Sequence, residues 1–289
     1  MKFTPFVVLG DTFRRFNEDK CWNSSIVISY FAFLCAVPIV SLFVYITTRV
    51  VGTSELALRS LNLFSDDFFA KYDPEFFKRV EAVSNNLSSL GWFGLIGSLI
   101  SASFLFSNLI YAINTIFRTR YQKSFVYNRI IEYSIMFVMG IILLISLAIT
   151  ASWSAVHRII EESSFVVNYL NPRVVALVDN FLIQYIAPLA LTFLVFFTLY
   201  KFIPETKVHT GPAALAAGVS AVLWEVFKRG FALYVANFSA IGIVLSKLVQ
   251  GTLTSIIFFL LWISLSLVIL LWGAELAAVL NERHHAKTV

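Results

Sequence analysis

Charge is scarce in this chain of 289 residues: Asp, Glu, Lys and Arg make up 13%, about half the roughly 25% of an ordinary soluble domain. Cysteine is scarcer still. Cys21 stands beside the first apolar run and Cys35 within it, which leaves no Cys–His cluster for a structural metal. The four histidines (His157, His209, His284, His285) fall in connections or in the tail, with no ligand spacing among them. A nucleophile elbow, a phosphate-cradling glycine loop and a zinc-binding His-Glu-x-x-His helix are all absent, and no nucleophile has a base at helical spacing. The sequence therefore predicts a protein that is not an enzyme and carries neither metal nor cofactor. The net charge of +5 comes from basic residues scattered between apolar runs. A nucleic-acid binder gathers them into a dense stripe, so RNA and DNA are not expected partners.

What the chain has instead is apolar surface. At 58% hydrophobic residues it exceeds what a soluble domain hides from water, roughly 45–50%. Residues 26–48, 90–117, 133–156 and 181–200 contain no charged side chain, and each reaches the roughly 20 residues that cross a hydrocarbon core. Residues 248–280 hold one charge, Glu275, late enough for the preceding residues to cross. Residues 211–238 are the hardest to read, because a small-residue run leads into Trp224, Glu225, Lys228 and Arg229. They count as the fifth span on two grounds. Glu225 stands three and four residues before Lys228 and Arg229, which places opposite charges on one helical face, and Ala214, Gly218 and Ala221 would let a neighbouring helix approach closely.

The expected fold is thus an all-α polytopic transmembrane bundle of six spans. Residues 1–25 form a cytoplasmic N-terminal segment, 26–280 the bundle, and 281–289 a cytoplasmic tail. The first apolar run lacks a small-residue cleavage site and is expected to remain as the first span. Of the 22 basic residues, just over half fall on the inner side if the N-terminus is cytoplasmic: Lys2, Arg14, Arg15 and Lys20, then Arg118, Arg120, Lys123 and Arg129, then Lys201 and Lys207, then Arg283 and Lys287. Residues 49–89 mix acids with paired phenylalanines. Asp73-Pro74 resembles a helix cap and first residue, so short amphipathic helices are expected there, between spans one and two.

Polar groups inside apolar spans mark either a pathway or a helix contact. Ser101, Asn108, Tyr111 and Thr115 follow one another at spacings that place them on one stripe of the second span, turned away from lipid. Both a pathway lining and hydrogen bonds between helices remain open for that stripe. Glu225, Lys228 and Arg229 present the same choice. Pro38 and Pro188 fall inside the first and fourth spans, where a proline permits a kink. Trp92, Trp153, Trp224 and Trp272 suit interface anchors, whereas Trp262 is too deep for that.

Several stretches carry a family likeness: Tyr30-Phe-Ala-Phe-Leu-Cys-Ala-Val-Pro38, Asn114-Thr-Ile-Phe-Arg118, Ile203-Pro-Glu-Thr-Lys-Val208, and Lys228-Arg-Gly-Phe-Ala-Leu-Tyr234 continuing through Gly251 and Trp262 to Leu271-Trp-Gly-Ala-Glu-Leu276. In their order and spacing, over nearly the whole chain, they resemble the YihY/BrkB family of bacterial inner-membrane proteins, formerly labelled the ribonuclease BN family. The resemblance implies six spans with cytoplasmic ends, and a structural role for Pro38, Asn114, Pro204, Gly230, Tyr234, Gly251, Trp262, Gly273 and Glu275. Members have been labelled tRNA-processing ribonucleases, linked to serum resistance, and suggested to move lipids or other solutes. No metal cluster or acid/base pair in this sequence supports the first label. Gln250 replaces a usual Tyr, and 62–66 lacks a common proline, so the outer region departs from the family pattern. The expected function is a transporter or flippase-like protein for a lipid or amphiphile, with Glu225, Lys228, Arg229, Asn108, Tyr111, Ser101 and Thr115 as the residues that touch it. The alternative is a non-catalytic scaffold for envelope integrity. Membrane lipids are the expected partners, with a second copy of the chain or an envelope protein also open.

Overall fold

The computed structural model describes residues 5–35, 92–119, 129–142, 145, 185–238 and 252–288. Pro38, Gly251, the outer segment 49–89 and most of the third span lie outside these residues. Seven helices form, with no strand among the described residues: α1 Pro5–Glu18, α2 Cys21–Cys35, α3 Trp92–Ile116, α4 129–142, α5 Ala187–Phe202, α6 Thr210–Phe238 and α7 Thr252–Thr288. Among the described residues three stretches are long and apolar enough to cross a membrane: Leu99–Ile116, Thr210–Tyr234 and Ile256–Ala286. Helices α2 and α5 are apolar but shorter.

The hardest stretch to read is therefore an unbroken helix. α6 runs for 29 residues, about 43 Å at 1.5 Å per residue, and Pro212 sits in its first turn, where a missing N–H breaks no bond. Pro188 stands at the first positions of α5, but the chain is already helical before it: residues 185–186 form a π-type turn and Ile186 has φ −74° and ψ −44°, a local irregularity of the kind that a proline inside a span permits.

Helix α7 is the hub, packing on α1, α3, α5 and α6. On α6 Ala213, Ala216, Ala217, Ser220 and Ala221 are all buried, as are Leu271, Ala274, Ala277 and Ala278 on α7, and Ser220 lies against Gly273. The expected contact face of Ala214, Gly218 and Ala221 is thus rotated by about a quarter turn, with Ala221 shared. The cause is that α6 is sandwiched: Gly218 faces Phe193 of α5, while Ser220 meets Gly273 of α7. Close helix approach without bulky side chains is the usual source of cohesion in lipid, where burial of apolar surface gives no advantage. The buried hydroxyls of Thr12 and Ser25 cause no cost, since they donate to the carbonyls of Val8 and Cys21 one turn earlier.

Two residues past the ends of α1 and α3 stand Lys20 and Arg118, both in the left-handed region at φ 53° and 52°. After α3 the Thr119 N–H reaches back to Asn114 O at 3.1 Å, which closes the last turn without glycine. α1 then packs on the C-terminal turns of α7, so both lie at one end of the bundle.

Candidate functional site

Two polar assemblies occupy different levels of the bundle. The first is on α6, about 22 Å from its start at 1.5 Å per residue. Lys228 Nζ donates to Glu225 Oε1 at 2.9 Å, with side-chain exposure of 32% for the lysine and 14% for the glutamate. The glutamate is thus enclosed while the ammonium keeps an open side. Arg229, expected to share Glu225, turns elsewhere: its guanidinium carbon lies 4.4 Å from the Tyr185 ring centroid at the start of α5, a cation–π contact. Below the pair sits an aromatic group. Trp262 of α7 meets Trp224 at 5.2 Å, Phe227 at 5.2 Å and Phe231 at 5.1 Å. Its unexpected depth follows, since it knits α7 to α6 rather than anchoring at a headgroup. Tyr234 is half-exposed beside Phe231, and Gly230 is exposed with nothing within 4 Å.

The stripe on α3 does not turn inward as a unit. Tyr111 is 64% exposed and Thr115 is exposed, whereas Ser101 and Asn108 are half-buried. Asn108 donates to Phe104 O at 2.8 Å and Thr115 to Tyr111 O at 2.9 Å, so both satisfy themselves along their own helix. The inward polar residue of α3 is Asn114, 2% exposed. Spacing alone favoured the stripe because four polar residues outvote one; packing of Ile113 and Ile116 against the core sets the rotation.

Asn114 belongs to the second assembly, at the end where α1 meets α7. Its Oδ1 accepts the Glu205 N–H at 3.1 Å and the Thr119 hydroxyl at 3.3 Å. From the other side Asn281 of α7 accepts the His209 N–H at 2.9 Å and donates to Lys207 O at 3.2 Å. Lys201 donates to Val208 O. The connection 203–209, with Ile203, Pro204 and Val208 buried, is therefore fastened from two helices. α1 is fastened by charge: Arg15 grips Glu282 with two N–H groups at 2.8 and 2.6 Å, and Arg283 pairs with Asp11. The bidentate bond to Glu282 raises the Arg15 pKa above its ordinary value, which keeps it charged throughout. Between these clamps Glu275 is 0% exposed, with Cys21 Sγ donating to its Oε1 at 3.7 Å. Asp11, Asp19, Asn281 and Glu282 were not legible as site residues, since a charge in a terminal segment reads as solvated.

Three imidazoles collect on the same end, with His209 4.5 Å from His284 and 4.7 Å from His285 between ring centroids. Among the described residues no group of three His, Cys, Asp or Glu is placed to hold a metal ion. Desolvation lowers the His209 pKa, helped by His284, His285, Lys207 and Lys201. A lowered value means that a detached loop takes up a proton before the packed one does. Its packing is therefore complete above the ordinary histidine range near 6.5 and weakens as pH falls through it. Amide protection across 203–209 is expected to drop on acidification through that range and to lose the dependence in His209→Gln; protection that ignores pH in the unmutated chain contradicts this.

A family profile described as "Virulence factor BrkB" matches residues 12–289. A "UPF0761 membrane protein" of Vibrio campbellii is 24% identical over 272 residues, covering 94% of this chain and 81% of that protein. One of Yersinia pestis is 29% identical over 212 residues, covering 72% of this chain and 65% of its own length. No solved structure matches the chain.

Proposed function

The chain belongs to the BrkB family of membrane proteins, and from that premise we propose that it is a six-span inner-membrane protein that moves a lipid or another amphiphile between leaflets. The observation that carries this reading is the Glu225–Lys228 pair. A charged pair placed deep along an apolar helix is costly in lipid and marks a pathway or a contact with a polar ligand. Its asymmetry suits a headgroup: the carboxylate is enclosed and holds the ammonium, whose open side can take a phosphate oxygen, with Arg229 one residue away. The reading needs no catalytic group. It places α1 and the end of α7 in the cytoplasm, with an even number of crossings between them, because the two pack together. The basic residues of 203–209 and 283–287 then lie beside anionic inner headgroups.

The test is mass spectrometry of lipids retained by the full chain in native-lipid nanodiscs. An anionic class is expected to be enriched. Lys228→Gln should reduce that enrichment about tenfold, the equivalent of ~1.4 kcal/mol, and Glu225→Gln should reduce it less, because the lysine remains. Equal lipid content in all three proteins, with unchanged stability, turns the assignment to the second reading. That reading is a non-catalytic scaffold, favoured by the outward face of Tyr111 and Thr115 on α3, which would meet a second copy or an envelope protein.

A further inference from the structure

Glu275 lies two residues beyond the closest α6–α7 approach and points to the opposite side of α7, toward the turn joining α1 and α2. It is completely buried. Cys21, at the start of α2, supplies one weak donor to Oε1, but Oε2 is enclosed with no hydrogen-bond donor, and so is Oδ2 of Asp19 in the turn. Asp19 stands two residues before Cys21, whose thiol lies on Glu275, so both orphaned oxygens are buried at the same contact of the α1–α2 turn with α7.

No group facing this pair is dedicated to it. From α1 comes Arg15, whose charge acts on Glu275 but whose guanidinium grips Glu282 with two of its five N–H donors. From α2 comes the Cys21 thiol alone. Tyr200 of α5 and Ser220 of α6 reach α7 on its other side, against Gly273, and Arg118 acts on Glu282. Two ionised carboxylates in contact, away from water and without a dedicated cation, are strongly unfavourable, and such dyads hold one proton in common. One O–H···O bond would satisfy both orphaned oxygens at once.

We propose that Asp19 and Glu275 form a proton-binding site, with a single proton held between Asp19 Oδ2 and Glu275 Oε2 that fastens the α1–α2 turn to α7. The proton comes from and returns to water by simple acid–base exchange. Its loss leaves two like charges in contact and drives the turn away from α7, so occupancy of the site sets whether the N-terminal helices stay docked. The inference is independent of the lipid reading and survives its failure.

Infrared spectroscopy of the full chain in nanodiscs tests it. At neutral pH the unmutated protein should show the carbonyl stretch of a protonated carboxyl group, moved by carbon-13 labelling of glutamate or aspartate side chains. Glu275→Gln and Asp19→Asn each replace the shared proton by an amide N–H of similar shape, so each should abolish the band while the protein still elutes as a single species. Glu282→Gln should keep it. Absence of the band from the unmutated protein, its survival in both variants, or carboxylate bands that respond to sodium instead would overturn the proposal. Because labelling assigns the band without mutation, a variant that fails to fold leaves the test intact.

Discussion

Gly273→Ala is expected to disrupt the bundle, lowering stability by about 3 kcal/mol, the upper end of what overpacking costs. A methyl group at this position would overlap Ser220 Oγ and Tyr200 Oη and come within 2.9 Å of Ser220 Cβ. None of these can step aside freely. Ser220 and Tyr200 are both 0% exposed, and Tyr200 Oη donates to Leu270 O at 2.8 Å. Relief therefore requires α6 to move away from α7 along the alanine face that holds the two together. Thermal unfolding of the purified chain in detergent provides the measurement, with Gly97→Ala and Gly140→Ala as controls. Both control glycines lie in helices with nothing within 4 Å of a new methyl, so each should be neutral or gain up to about 1 kcal/mol from helix propensity. Adding Ser220→Gly to Gly273→Ala should restore part of the loss. A Gly273→Ala protein as stable as the unmutated chain would show that the helices are farther apart.

The next largest effect is expected at Asn281. Asn281→Ala removes the acceptor of the His209 N–H and the donor to Lys207 O in one step. The connection is half-buried, so each backbone group left without a partner costs about 0.5–1.5 kcal/mol, and a loss of about 1–3 kcal/mol is expected. Asn114→Ala deprives the Glu205 N–H of its acceptor, and about 1–2 kcal/mol should go with it. Both side chains hold the connection 203–209, so their effects should not add. Once one side is released, the loop already moves, and the second substitution costs less. Unfolding of the single and double variants checks this; strict additivity would mean that the two asparagines fasten independent segments.

The Gly273 contact also shows where sequence reasoning stops. The resemblance named Gly273 and Glu275 as structural, yet neither the partners of the glycine nor the isolation of the carboxylate follows from spacing. Small residues on α6 signalled a close approach, but two neighbours, α5 and α7, compete for them. Which face each takes depends on a sandwich assembled from segments far apart in the chain. The polar stripe on α3 failed to turn inward for a similar reason. A helical face can be computed from periodicity, while its rotation about the axis is set by the apolar contacts of Leu109, Ile113 and Ile116.

By itself the sequence determined that this is an all-helical membrane protein of the BrkB family, because uncharged runs of bilayer length have few other solutions in which every backbone group is satisfied. It also determined the Glu225–Lys228 pair, which needs only the local rise of one helix. Tertiary structure alone decided that Arg229 goes to Tyr185, that Asn114 and Asn281 clamp one loop, and that Cys21 meets Glu275. Those contacts join residues up to 254 positions apart, from Cys21 to Glu275, and depend on how helices rotate and slide against one another, which no local pattern encodes.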